Sequence, residues 1–101
     1  MRSVAILGAG AAGCFCAVSV KRRHPDWSVT VLEAGAAPMA KLSLTGGGRC
    51  NITNTFEHVR SIKEVYPRGG SLMKRLLKEF SQDDLLAGFG KEGIRFTAQE
   101  D

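Results

Sequence analysis

The chain opens on a short apolar run. "SVAIL" ends at a glycine and predicts a buried strand over Ser3–Leu7. Beyond the glycines of "GAGAAG", Cys14, Ala17, Val18 and Lys21 follow the i, i+3, i+4, i+7 spacing, which predicts a helix from Ala11 to about Arg23, stopped by Pro25. "SVTVLE", Ser28–Glu33, is rich in β-branched residues and predicts a second strand. Both strands are nearly continuous in apolar residues, as expected when helices cover both faces of a parallel sheet. From Ala34 to Phe56 no period holds and small residues dominate, so this stretch reads as a functional loop or as part of an incomplete structure.

The second half is helical in pattern. "VRSIKEVY" predicts a short helix ending at Pro67. Over Gly70–Phe80 the apolar residues Leu72, Met73, Leu76, Leu77 and Phe80 share one face, with Lys74, Arg75 and Lys78 opposite. Ser81 is placed to cap a third helix, with Asp84 at the capping-box position. Gly93 is a natural stop, and "IRFTA" begins an extended segment. The 101 residues suffice for one domain with a modest core. Two parallel strands would leave their edges open. Because "TAQED" closes no element, residues 1–101 read as part of a domain at the amino terminus of a longer protein.

Composition narrows the class. Hydrophobic residues at 44% and charged residues at 24% are those of an ordinary soluble globular protein. The net charge is +4. Its basic residues gather at Lys21–Arg23 and again between Arg68 and Lys78, where helical spacing makes a solvated face the expectation, and no nucleic-acid motif accompanies them. No nucleic-acid partner is expected. Cys14, Cys16 and Cys50 form no C-x-x-C pair and no zinc-spaced set with histidine, so neither disulfide framework nor metal is expected. The first apolar run is too short for a signal sequence and no long apolar segment follows, which predicts a cytoplasmic protein without a membrane anchor.

Two stretches carry chemistry. "GAGAAG", Gly8–Gly13, lies between the first strand and the first helix, and Glu33 stands at the end of the second strand, twenty residues after Gly13. In such a unit Gly8 makes the tight turn, Gly10 lets the backbone approach a pyrophosphate, and Gly13 lets helix and strand pack closely. The helix amino terminus offers free N–H groups to phosphate, and the acid accepts from ribose hydroxyls. Glu33 disfavours a 2′-phosphate, which argues against NADP here and leaves NAD and FAD open.

The second stretch is "KLSLTGGGRCNITN", Lys41–Asn54. Lys41 and Arg49 bracket Gly46, Gly47 and Gly48, and Thr45, Asn51, Thr53 and Asn54 add hydrogen-bonding side chains. Successive glycine N–H groups can form a nest for an anion, and missing side chains let a flat ring lie against the backbone. Cys50 is expected to be a small buried residue rather than a redox thiol, with Cys14 and Cys16 as packing residues on different helix faces. His24 and His58 have no partners in the pattern. No catalytic set of Ser/His/Asp or Cys/His is present, so hydride chemistry would belong to a cofactor.

"VAILGAGAAG", "VTVLEAG" and above all "KLSLTGGGRCNITN" resemble the BaiN/RdsA-type (YhiN-like) NAD(P)/FAD-dependent oxidoreductase family. "YPRGG", the Leu72–Phe80 helix and "KEGIRFTAQED" extend the likeness along the chain. GGGRCN-x-TN is specific to that family, whereas the glycine fingerprint is shared by many. The resemblance implies an α/β, Rossmann-like FAD/NAD(P)-binding domain with a parallel sheet and flanking helices, of which residues 1–101 are the amino-terminal part. It implies FAD held by Gly8, Gly10, Ala11, Ala12 and Gly13 at the pyrophosphate and by Glu33, with Ala34 beside it, at the adenosine ribose. Lys41 and the loop Thr45, Gly46, Gly47, Gly48, Arg49, Cys50, Asn51 would run beside the pyrophosphate, ribityl chain and flavin. The implied activity is redox chemistry on a small organic substrate, with unsaturated steroid-like acids as one class and NAD or NADP as a donor bound outside this segment. Two alternatives stay open, an NAD-linked dehydrogenase and a non-catalytic flavin- or nucleotide-binding module of an RNA-modification protein. The 101-residue chain itself is expected to be inactive, to hold FAD weakly or not at all, and to pair as a homodimer.

Overall fold

The computed structural model describes residues 2–97. The chain divides into two compact units, Met1–Ile52 and Thr53–Asp101.

The first unit contains strand β1 (Ser3–Leu7), helix α1 (Ala11–Arg23) and strand β2 (Ser28–Leu32). The strands pair in parallel, in register from Ser3 opposite Ser28 to Leu7 opposite Leu32. Strand alternation puts Val4, Ile6, Val29 and Val31 on the half-buried face. Within this unit α1 covers that face alone. On the other, Leu7 is 82% and Leu32 51% exposed. Ala9, at 6% exposure, is the buried hydrophobic residue among those described.

The orientation of α1 also departs from the expected stripe. Gly13, Cys14, Ala17 and Val20 are half-buried, while Cys16 and Val18 are exposed. Closest approach at Gly13 explains the rotation. A β-carbon there would lie 3.5 Å from Ile6 Cγ2, so the residues one and two turns on, Ala17 and Val20, share the same side. Lys21, Arg22 and Arg23 occupy the last turn, where cations complement the negative end of the helix. His24, without an evident partner in the sequence, stacks on Trp27 with ring centroids 3.7 Å apart, and the Arg2 guanidinium lies 5.4 Å from the indole centroid. Lys21 Nζ donates to the Trp27 carbonyl at 2.6 Å, which ties the helix end to the start of β2.

The second unit holds three helices, α2 (Ile62–Val65), α3 (Gly70–Glu79) and α4 (Gln82–Lys91). Helix α2 is shorter than the pattern suggests because Ser61 caps it, its hydroxyl accepting from the Lys63 N–H at 3.3 Å. Gly70 is buried where a β-carbon would stand 2.9 Å from Lys63 Cα, so α3 meets α2 through a missing side chain. The expected capping box of α4 is formed. Asp84 N–H donates to Ser81 Oγ at 3.1 Å and Ser81 N–H to Asp84 Oδ2 at 2.8 Å. After Gly93, at φ +82°, residues 94–97 form no strand. Instead the Ile94 N–H donates to the Phe89 carbonyl at 3.2 Å, and the Phe96 ring tilts against Phe89 at 6.1 Å. The rest of the expected extended segment lies outside the described residues. No helix of the described residues is long and apolar enough to cross a membrane.

Candidate dinucleotide-binding site

The three glycines of the β1–α1 turn are glycine for three different reasons. Gly8 has φ +100°, a conformation that L side chains rarely adopt. Gly13 has no room, since a β-carbon would collide with the Gly8 carbonyl oxygen and stand 3.1 Å from its carbon. Gly10 meets neither constraint. Its φ of −85° and ψ of −167° are open to any residue, and a β-carbon there would find no protein atom within 4 Å. The chain's own packing does not demand a glycine at Gly10. Glycine there leaves the backbone open to close approach, and the residues fit a pyrophosphate. Gly10 is the N-cap of α1 and lends it no side-chain cap, and no acidic residue stands in the first turn. Ala11 and Ala12, which follow, are exposed and small. The helix amino terminus is left open to an anion.

Ala9 is the residue that sequence reasoning missed. Its N–H donates to Glu33 Oε1 at 2.9 Å, and its carbonyl accepts from the Met39 N–H at 2.7 Å. Glu33 Oε2 accepts from the Gly35 N–H at 2.7 Å. The acid at the end of β2 thus spans from its own exit turn to the glycine turn, while Gly8 N–H donates to the Leu32 carbonyl at 2.7 Å beside it. Met39 adopts φ +59° to make its contact, which apolar periodicity could not signal.

The Ala9 amide, and after it the Gly35 amide, hold the Glu33 carboxyl below its ordinary value of 4.5 against a small opposing effect of desolvation. The sign follows from linkage. A carboxyl whose folded value is depressed stabilises the turn fully above the unfolded value, and the contribution is lost as pH falls through the folded one. The Ala9 and Gly35 amide resonances are therefore expected to hold steady at neutral pH and to shift together only below 4.5. Midpoints above that value, or different midpoints for the two amides, would contradict a shared carboxylate acceptor.

The "TGGGRC" loop follows a tight turn over Leu42–Leu44, the start of a 3-10 stretch that spans Leu42–Gly48. Thr45 leaves that turn extended, at ψ +150°, and Gly46, Gly47 and Gly48 then take φ +59°, +65° and +92°. Three successive positive φ values account for three successive glycines. Thr45 closes the loop. Its hydroxyl donates to the Leu42 carbonyl at 2.8 Å and accepts from the Asn51 N–H at 2.9 Å, and its carbonyl accepts from the Cys50 N–H at 3.1 Å.

Arg49 N–H donates to the Gly46 carbonyl at 3.3 Å, so the amides of Arg49 and Cys50 are turned to the loop's own carbonyls. Cys50 is exposed at φ +62°, not buried as expected, and Cys16 is exposed as well. The loop's conformation turns Cys50 outward, and the rotation of α1 does the same for Cys16. Lys41, Arg49 and Ala34 are exposed. The structure joins the two stretches through Met39, whose N–H reaches Ala9 and whose carbonyl accepts from the Ser43 N–H at 3.0 Å.

The sequence is similar to those of known proteins. The ribosomal RNA dihydrouridine synthase of Escherichia coli is 35% identical over 89 residues, covering 88% of this chain and 21% of that protein. The protein of the same name from Haemophilus influenzae is 33% identical over 98 residues, 94% of this chain and 22% of its own length. The 3-dehydro-bile acid delta(4,6)-reductase of Clostridium scindens is 30% identical over 94 residues, with 93% and 22% covered. The chain spans about a fifth of the length of these curated relatives. No solved structure matches it significantly. The profile described as HI0933-like protein Rossmann domain matches residues 2–101, and with the strand–glycine turn–helix–strand geometry above, the chain belongs to that family as a Rossmann-type nucleotide-binding domain.

Proposed function

We propose that this chain is the FAD-binding portion of a flavin-dependent oxidoreductase that saturates carbon–carbon double bonds. The observation that carries the cofactor site is Gly10, a glycine that no contact among the described residues requires, at the start of α1, where no side chain caps the helix. Gly8, Gly10, Ala11, Ala12 and Gly13 would hold the pyrophosphate, and Glu33, with Ala34 beside it, the adenosine ribose. Lys41 and Thr45–Asn51 would flank the remainder, which favours FAD over NAD because a nicotinamide dinucleotide gives this second loop no evident role. Bound flavin would supply the hydride chemistry for which the chain has no side-chain set of its own. The relatives' names support a reductase. Dihydrouridine differs from uridine by two hydrogens across one double bond, and delta(4,6) designates double bonds.

The whole protein purified yellow, with flavin released on denaturation, would support this reading. Colourless protein stabilised by NAD would sink it in favour of a dehydrogenase. Two relatives named for ribosomal RNA support RNA as a second substrate reading beside a small organic molecule. Strongly salt-dependent RNA binding would select it. Self-association belongs to the same proposal, since Leu7 and Leu32 lie open on the sheet, and a monomer in sedimentation velocity would count against it.

Gly47 tests the second loop. It combines φ +65° with no protein atom within 4 Å of a built β-carbon, so a side chain there strains the loop and projects away from it. Gly47→Val is expected to leave the protein folded, with circular dichroism unchanged, and to strip it of flavin. A full flavin complement in this variant would show that the loop does not wall the cofactor.

A further inference from the structure

Ala9 is 6% exposed, and its two flanking peptides are held by different parts of the chain. The Gly8–Ala9 peptide donates its N–H to Glu33 Oε1 at 2.9 Å, and the Ala9–Gly10 peptide accepts at its carbonyl from Met39 N–H at 2.7 Å. Both peptides are trans, and in a planar trans peptide the N–H and C=O point in opposite directions. Holding the Ala9 carbonyl on Met39 therefore aims the Gly10 N–H the other way. Holding the Ala9 N–H on Glu33 likewise aims the Gly8 carbonyl away from Glu33, and that oxygen is the atom a β-carbon at Gly13 would strike.

We infer that Glu33 and Met39 form a two-point clamp on Ala9 that sets the glycine turn before ligand arrives, with Glu33 acting as a positioning residue in addition to any contact with ribose. The clamp rests on the reading of this turn as a dinucleotide site. It also seats the loop leading to Lys41 and Thr45–Asn51 against the turn, because the Met39 carbonyl accepts from Ser43 N–H at 3.0 Å. Glutamate suits the task because a carboxylate accepts at both oxygens and can face the Ala9 and Gly35 donors at once. Glutamine cannot, since its NH2 group would face one of those N–H groups. Gly35 is part of the device. A β-carbon there would stand 3.0 Å from Glu33 Oε2, so glycine leaves the carboxylate its place.

Residue-resolved amide hydrogen exchange on the ligand-free protein tests the clamp, with FAD titrations run on the same samples. Glu33→Ala, which removes both acceptor oxygens, should accelerate exchange about tenfold at Ala9 and Gly35, the scale of a lost hydrogen bond to a charged acceptor. It should do the same at Met39, whose own hydrogen bond the substitution does not touch. Gly35→Ala, which keeps the carboxylate but displaces it, should reproduce the effect at Ala9 and Met39. Ile6 and Val31 in the sheet should exchange as in the parent. Acceleration at Ala9 with Met39 unchanged in both variants would overturn the clamp, as would uniform acceleration through the sheet. Whole protein whose variants show the coupled pattern, yet whose parent form binds no FAD, would refute the cofactor reading and leave the clamp standing.

Discussion

Gly13→Ala is expected to unfold the β1–α1–β2 unit. One methyl group would be driven into the backbone of Gly8, with its carbonyl carbon 3.1 Å away and its oxygen closer still. Neither partner can yield by a rotamer change, because Gly8 is fixed at φ +100° with its N–H on the Leu32 carbonyl at 2.7 Å. Relief requires lifting α1 off the sheet. Overpacking of this kind costs about 3 kcal/mol or more when backbone must move. Domains of this size are stable by only about 5–15 kcal/mol, and this unit has little buried apolar surface from which to absorb the loss. Thermal unfolding followed by circular dichroism should show a midpoint far below the parent's or no transition. A variant melting within a few degrees of the parent would mean that the turn opens readily and that Gly13 does not set the helix against the strand.

Gly10→Asp is expected to separate stability from binding. The backbone at Gly10 accepts any residue, and a built β-carbon meets no atom within 4 Å. An aspartate at this N-cap would accept from the first-turn amides that the parent leaves without a side-chain partner. It would also place negative charge at the positive end of α1. Together these should stabilise the fold by a few tenths of a kcal/mol to about 1 kcal/mol. The same carboxylate would occupy the place proposed for the pyrophosphate and repel it. Like charges in contact cost several kcal/mol, so dinucleotide affinity should fall at least about a hundredfold. A raised melting temperature with lost flavin is the expected pair of results. Retained affinity would move the phosphate site elsewhere, and lost stability would show that Gly10 is required by the fold after all.

These two glycines show how far the residues alone could be read. Their assignments rested on position within a strand–turn–helix pattern. The structure gives each a separate physical setting, steric collision at Gly13 and, among the described residues, freedom from contact at Gly10. Glu33 was legible as the acid at the end of β2. Its bonds to Ala9 and Gly35 were not, because both run to backbone amides that no side-chain pattern encodes, and Ala9 is distant in sequence as well. Thr45 stood among several polar residues of its loop, and only the folded loop distinguishes it as the residue holding both ends of the glycine run.

Local chemistry decided the strands, the limits of α1, the capping box at Ser81 and the glycine turn. Each of these follows from interactions within a few residues, or from periodicity that one element carries along its own length. The rotation of α1, the exposure of Cys16 and Cys50, and the open face of Leu7 and Leu32 depend on what packs against what. Apolar pattern records that a side chain favours burial, but a partner surface must exist to bury it. In the same way Met39 takes φ +59° only because a carbonyl of the glycine turn lies within reach of its amide. Contacts between residues distant in the chain made those choices, and they exist only once the turn, the strand and the loop have come together.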